Sequence, residues 1–193
     1  MPRHPERIPF GNPNDPQGML ARRDQFLEWL RIKNFSAQTV ASRNVYLDFF
    51  IRWCEDRGIV RPGAVSKPIL ERYQRWLYHY RKKDGKPLSF RSQFNRLLPI
   101  RAWFKWLAKN NHVLFNPAAE MELPKLEQRL PKCILTVADA DAVLNMPNVE
   151  TALGIRDRAI METLYSSGIR RMEVVGLRIY DIERQHGTLI GLV

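Results

Sequence analysis

The stretch "LYSSGIRRMEVVGLRIYDI", residues 164–182, sets two adjacent arginines into an apolar helical pattern directly after a Ser-Ser-Gly break. Arg170, Glu173, Val174 and Leu177 share one helix face by their i, i+3, i+4, i+7 spacing. An arginine and a glutamate on a mostly apolar face are costly if buried unpaired. Spacing alone leaves two readings open. The two charges neutralise each other, or Glu173 holds the guanidinium of Arg170 while its fork faces a phosphate.

A second group of residues is richer in hydroxyls and amides. Gln38, Thr39, Ser42, Arg43 and Asn44 crowd the first two turns of one predicted helix. Ser89, Arg91, Ser92, Asn95 and Arg96 open another, followed by Arg101, Lys105 and Lys109. Helix N-termini carrying hydroxyls, amides and arginines suit phosphates and base edges in a major groove. A solvated polar face is an equally good reading for one such helix. Two of them lie in a region, residues 17–110, that holds 20 Lys and Arg against 7 Asp and Glu, a net of +13. That excess favours DNA. The candidate DNA-binding set is therefore Thr39, Ser42, Arg43, Ser89, Arg91, Ser92, Asn95 and Arg96. Phe90, Phe94, Trp103 and Phe104 offer flat faces for stacking single-stranded bases, but their helical spacing favours core packing.

The elements that must carry these residues follow from composition and periodicity. The chain has 193 residues, 45% hydrophobic and 26% charged, enough for one sizeable domain or two small ones. The net charge is +11, and all of the excess lies in the first two-thirds: residues 1–130 hold 24 basic and 12 acidic side chains, residues 131–193 hold 7 and 8. A region this basic meets nucleic acid more often than an anionic membrane surface. No apolar run is long enough to span a bilayer. The opening "MPRHPERIPFGNPNDPQG" lacks the apolar core of a secretory signal and reads as a disordered leader over residues 1–17. Cys54 and Cys133 lie far apart, without metal-ligand spacing, and the four histidines are scattered. These features describe an intracellular, cytoplasmic protein with reduced thiols and no metal site.

Four amphipathic helices are predicted over about 18–33, 36–57, 66–83 and 89–109, with Ser36, Ser66 and Ser89 placed to cap the last three. Four such helices joined by short turns make a compact all-α domain over 18–110. Residues 111–135 hold three prolines, alternating charge and weak periodicity, and read as an extended linker. Thr136 with Asp139 forms a capping-box pattern opening a short helix. Further helices are predicted over 153–166 and 170–176, and "RIYDI" and "TLIGLV" read as short strands around a turn at Gly187.

"SSGIRRMEVVGLRIYDI" resembles the first arginine box of the tyrosine recombinases, the phage-integrase family, through Gly168, Ile169, Arg170, Glu173, Val174, Leu177, Arg178, Asp181 and Ile182. "NPAAEMELPK" and Thr136 resemble that family's interdomain linker and catalytic-domain entry, and the basic helices its core-binding domain. The resemblance covers residues 18–193. It implies a mainly α chain: a four-helix core-binding (SAM-like) domain, then the incomplete start of an α+β catalytic domain over 136–193. It implies that Arg170 binds the scissile phosphate, that Glu173 supports it, and that Arg171 has no catalytic part. Clamping phosphoryl oxygens is sound chemistry for such a transfer. Met172 stands where a small residue is usual.

The family also uses a lysine on the next hairpin, a His-x-x-Arg box, a further His or Trp, and a tyrosine nucleophile. These 193 residues supply no match for them; His186 has Leu189 three residues on, and Tyr165 and Tyr180 lie too close to the arginine box. The resemblance thus implies the DNA-binding portion of a site-specific recombinase, which cuts and rejoins DNA through a 3′-phosphotyrosyl intermediate with no metal or nucleotide cofactor. The partners implied are duplex DNA at a recombination site and like subunits on it, with no membrane and no small-molecule substrate. The expectation is a chain that binds DNA without cleaving it and leaves apolar faces at Ile160, Leu164, Val175 and Leu177 uncovered. A stand-alone regulator competing at a recombination site is the alternative. A helical protein with a basic face for RNA or membrane is a third.

Overall fold

The computed structural model describes residues 11–12, 14–127, 134–183 and 188–189. The chain divides into two compact units, Met1–Gln128 and Arg129–Val193. The fold is mainly α.

The first unit is built on α1 (Met19–Ile32), α2 (Ala37–Glu55), α3 (Lys67–His79) and α4 (Phe90–Lys109). Ser36 accepts a hydrogen bond from the Thr39 amide and Ser89 from the Ser92 amide, each at 3.2 Å, so α2 and α4 begin where a hydroxyl can satisfy an otherwise orphaned N–H. Ser66 stands at the start of α3 without a side-chain cap bond, and Pro68 lies in the first turn. α2 packs on α1 and α4, and α4 also meets α1 and α3. Trp103, Tyr73, Phe26, Phe50 and Phe104 are fully buried between them. The rings of Phe50 and Tyr73 meet edge to face at 4.9 Å, Trp53 and Tyr73 at 5.1 Å, and Trp76 stacks on Tyr73 at 5.7 Å. Such pairs add roughly 0.5–1.5 kcal/mol each beyond the area they bury. Cys54 is a free thiol in this core, and burial pushes its pKa up to about 12.

Three expectations change here. α3 ends at His79 rather than near residue 83, because Tyr80 takes an extended backbone and Arg81 pairs with Pro87 across the Lys-Lys-Asp-Gly-Lys turn. The described part of the leader is docked: the Gly11 amide donates to both carboxylate oxygens of Glu55 at 2.7 Å, Asp15 pairs with Arg61, and the Met19 amide bonds the Val60 carbonyl. The first part of the expected linker, 111–127, is irregular in backbone but belongs to the first unit. Ala118 and Met121 are buried in its core, Lys67 pairs with Glu120 at 2.6 Å, and the Gln74 amide donates to the Glu122 carbonyl at 2.7 Å. The proline content that signals a linker also permits an extended strap held by side chains along its path. Residues 128–133, including Cys133, lie outside the described residues, as do 1–10.

The second unit carries α5 (Val137–Leu144), α6 (Ala152–Ser167) and α7 (Arg171–Gly176), then a 3-10 turn (Ile179–Asp181). β1 (Ile182–Glu183) pairs antiparallel with β2 (Thr188–Leu189) in the register Ile182↔Leu189. "RIYDI" is therefore mostly a tight turn, drawn in by Asp181, whose carboxylate accepts from the Arg178 amide at 2.7 Å. The Gly187 turn lies outside the described residues. Thr136 and Asp139 close a reciprocal capping box on α5. Thr151 caps α6 through the Gly154 amide at 3.0 Å, and Gly168 ends it at φ +66. The Asn148 carbonyl runs against Gly154 so closely that an added Cβ would stand 1.8 Å from it. Glycine is required there by space.

Candidate nucleic-acid interface

α4 sorts its side chains by the helical period. Arg91, Asn95, Leu98, Arg101, Lys105 and Lys109 are exposed and fall on one side; Leu97, Ile100, Trp103, Phe104 and Leu107 are buried on the other, and Phe90, in the first turn, is exposed although it stands seven residues before Leu97. The open face is thus basic and amidic, with apolar side chains set into it. On α2 the open face is Ala37, Gln38, Ala41 and Val45, with Ser42 half-buried beside them.

The candidate residues divide accordingly. Arg91 and Asn95 stand on the open face of α4. Ser89 and Ser92 make a hydroxyl pair at 2.9 Å at its start, and Ser36 and Thr39 make the same pair at 2.8 Å on α2. Thr39 is half-buried, and its carbonyl accepts from the Ser42 hydroxyl at 3.0 Å. Arg43 and Arg96 are packed sideways. The Arg43 guanidinium lies 4.9 Å from the Phe35 ring centre, and burial lowers its pKa. Arg96 lies 4.1 Å from the Phe49 ring and 5.5 Å from Tyr80. Cation–π contact of this kind fixes a guanidinium in place.

The two helix openings share a spacing that was not picked out from the sequence. Ser36, Thr39, Ser42 and Arg43 match Ser89, Ser92, Asn95 and Arg96 at positions 0, 3, 6 and 7. In both, the first two hydroxyls form the cap and the arginine leans on an aromatic ring. No acidic residue sits in the first turn of α1, α2, α3 or α4. The positive ends of these helix dipoles are therefore not neutralised by their own carboxylates.

Phe90 departs from the core-packing expectation. It follows the Ser89 cap directly and is 53% exposed, whereas Trp103 and Phe104 are fully buried. Phe90 keeps the phase of Leu97 and Phe104, seven and fourteen residues on, so its exposure comes from its place in the first turn at the end of the helix and not from the periodicity.

In the second unit, Arg170 immediately precedes α7. Its amide donates to Glu173 Oε2 at 2.6 Å and its Nη1 to Oε1 at 3.0 Å. One carboxylate thus caps the helix and grips the guanidinium. An arginine side chain has no acceptor to complete a capping box, so Glu173 does both jobs. The hydrogen bond from the Arg170 amide, then that from its side chain, hold the Glu173 carboxyl below its usual range. The Arg170 side chain is 87% exposed and that of Glu173 35%. The pair is therefore not an ion pair buried on an apolar face. Arg171 is exposed.

No protein-family model matches the chain. It is 51% identical over 156 residues to tyrosine recombinase XerC 2 of Ralstonia nicotianae, an overlap of 81% of this chain and 45% of the relative. It is 33% identical over 169 residues to tyrosine recombinase XerD of Pseudomonas putida, covering 86% of this chain and 53% of that one. Among solved structures, the N-terminal domain of a phage integrase/site-specific recombinase from Haloarcula marismortui aligns with TM-score 0.48 at 18% identity, over 55% of this chain and 96% of that one. Over more than four-fifths of its length the chain is similar to tyrosine recombinases. It spans about half the length of the curated relatives it matches. No helix among the described residues is long and apolar enough to cross a membrane.

Proposed function

We propose that this chain is the DNA-binding portion of a site-specific tyrosine recombinase and holds duplex DNA through the first unit. The open face of α4 carries the reading. Arg91, Asn95, Arg101, Lys105 and Lys109 present charge and amides along one helix, at a width that a major groove admits. The capped starts of α2 and α4 add N–H groups and hydroxyls suited to backbone phosphates. In the second unit, Arg170 takes the scissile phosphate, and Glu173 is its positioning residue. An exposed guanidinium held on one edge by a carboxylate suits a bidentate clamp on nonbridging oxygens. Like subunits assemble on the same DNA.

Titrating salt against binding of a duplex tests the first part. Affinity should fall steeply with salt, and Arg91→Ala should reduce the slope of log K against log salt by about one; binding indifferent to salt would refute it. Ethylation interference tests the second. Arg170→Ala should abolish interference at one phosphate and leave the contacts sensitive to Arg91→Ala. On a suicide substrate these 193 residues should form no covalent adduct, since none of them matches the family's nucleophile; an adduct would contradict that assignment.

A further inference from the structure

We propose that Phe90 reads the C5-methyl group of a thymine in the major groove and so sets part of the sequence preference of the first unit. The inference rests on the duplex-binding reading above and assigns a residue that reading does not use. Phe90 is a large apolar side chain in the first turn of α4, 53% exposed, between the Ser89 cap and Arg91. Among the described residues it forms no ring stack or cation–π contact, unlike Phe49, Phe50 and Phe104 in the same unit. The exposed side of the helix beyond it carries Arg91, Asn95, Leu98, Arg101 and the two lysines. An apolar side chain at the end of so basic a face is ill placed for a hydrophobic protein partner, whose surface would have to bury those charges. It is well placed against a polyanion whose groove also displays methyl groups.

The chemistry divides along the helix. The hydroxyl pair Ser89–Ser92, the first-turn amides and Arg91 suit phosphates, while the residue one step past the cap reaches base edges, as the first residues of a recognition helix do. Phe90 offers an apolar patch for a thymine methyl. α2 has Ala37 and Gln38 at the matching positions. The two helix openings therefore share a phosphate seat and differ in what they present to the bases.

The test uses the 193-residue chain and a pool of random-sequence duplexes. Bound duplexes are enriched, and a selected one is remade with each thymine replaced in turn by deoxyuridine, which removes only the methyl. Loss of one methyl from an apolar contact is expected to weaken binding about fourfold at one position. Phe90→Ala should be indifferent to that replacement while keeping the wild-type salt slope, and Phe90→Leu should retain part of the sensitivity. Far-UV circular dichroism would report whether the variants fold. Salt-dependent binding without an enriched sequence, without a methyl effect, or with the same effect in Phe90→Ala overturns the assignment and leaves the duplex reading standing. Absence of salt-dependent binding refutes both. Self-association that Phe90→Ala removes would assign the ring to a second copy of this chain and also overturn it.

Discussion

In the first unit, Trp103, Tyr73, Phe26, Phe50 and Phe104 disappear completely from solvent. Among the described residues of the second, Ala140, Leu144 and Gly154 are buried, while Val137, Met146, Leu153, Met172 and Val175 stand largely in water. Both units hold helices with side-chain caps, α2 and α4 in the first and α5 and α6 in the second. The difference is what lies beneath them. Caps and hydrogen bonds define where a helix starts, but large side chains removed from water are what hold it against its neighbours. The second unit has the local instructions of a fold with little of the burial.

The electrostatics differ in the same direction. α1 to α4 open without a carboxylate in the first turn, whereas α5 and α7 open on Asp139 and Glu173. The first unit leaves its helix dipoles without a carboxylate of their own at the positive end. The second satisfies α5 and α7 internally, and Glu173 lends the guanidinium of Arg170 to solvent in doing so.

The contrast is most sharply tested in the core. Trp103→Ala should cost the first unit about 3–5 kcal/mol in chemical denaturation, and Leu144→Ala less than half as much in the second. Equal losses would erase the distinction. Gly154→Ala should cost about 1–3 kcal/mol by forcing the Asn148 backbone away. Amide exchange should speed up across α6 and stay unchanged across α1–α4. Removing the caps should expose the opposite balance: Ser89→Ala and Thr136→Ala each remove about 1 kcal/mol, which is absorbed by the packed α4 and visible as fraying in α5. The smallest effect is on pH. Hydrogen bonds from the Thr136 side chain and amide lower the Asp139 carboxyl, and Glu173 is lowered by the Arg170 amide and guanidinium. A carboxyl depressed on folding contributes stability above its unfolded pKa and loses it as pH falls through the folded one. Amide protection of α5 and α7 should therefore decline on acidification below the ordinary carboxylate range, while that of α2 and α4 holds.

Much of this was readable from residues alone. Ser36, Ser89 and Thr136 marked helix starts because a short hydroxyl before an apolar-periodic run has one good use. The arginine box pointed to the tyrosine recombinases because its glycine, arginine, glutamate and leucine occur in fixed order. The docking of 111–127 was not readable. Ala118 and Met121 carry no periodic signal, and their burial comes from contacts distant in sequence. Nor was the sideways packing of Arg43 and Arg96 evident, since an arginine beside a ring in space looks identical in sequence to one facing solvent. Phe90 shows the converse error: apolar character and helix phase both suggested the interior, and its position in the first turn of α4 leaves it exposed.

The aromatic core has an optical consequence. All five tryptophans, at 29, 53, 76, 103 and 106, lie in the first unit. Intrinsic tryptophan emission from the intact chain therefore reports on one half of the molecule alone, and Tyr165 and Tyr180 are the chromophores of the other. Tryptophan melting set beside far-UV circular dichroism of the same unmodified protein reveals whether its two units melt together or apart, with no label and no cut in the chain.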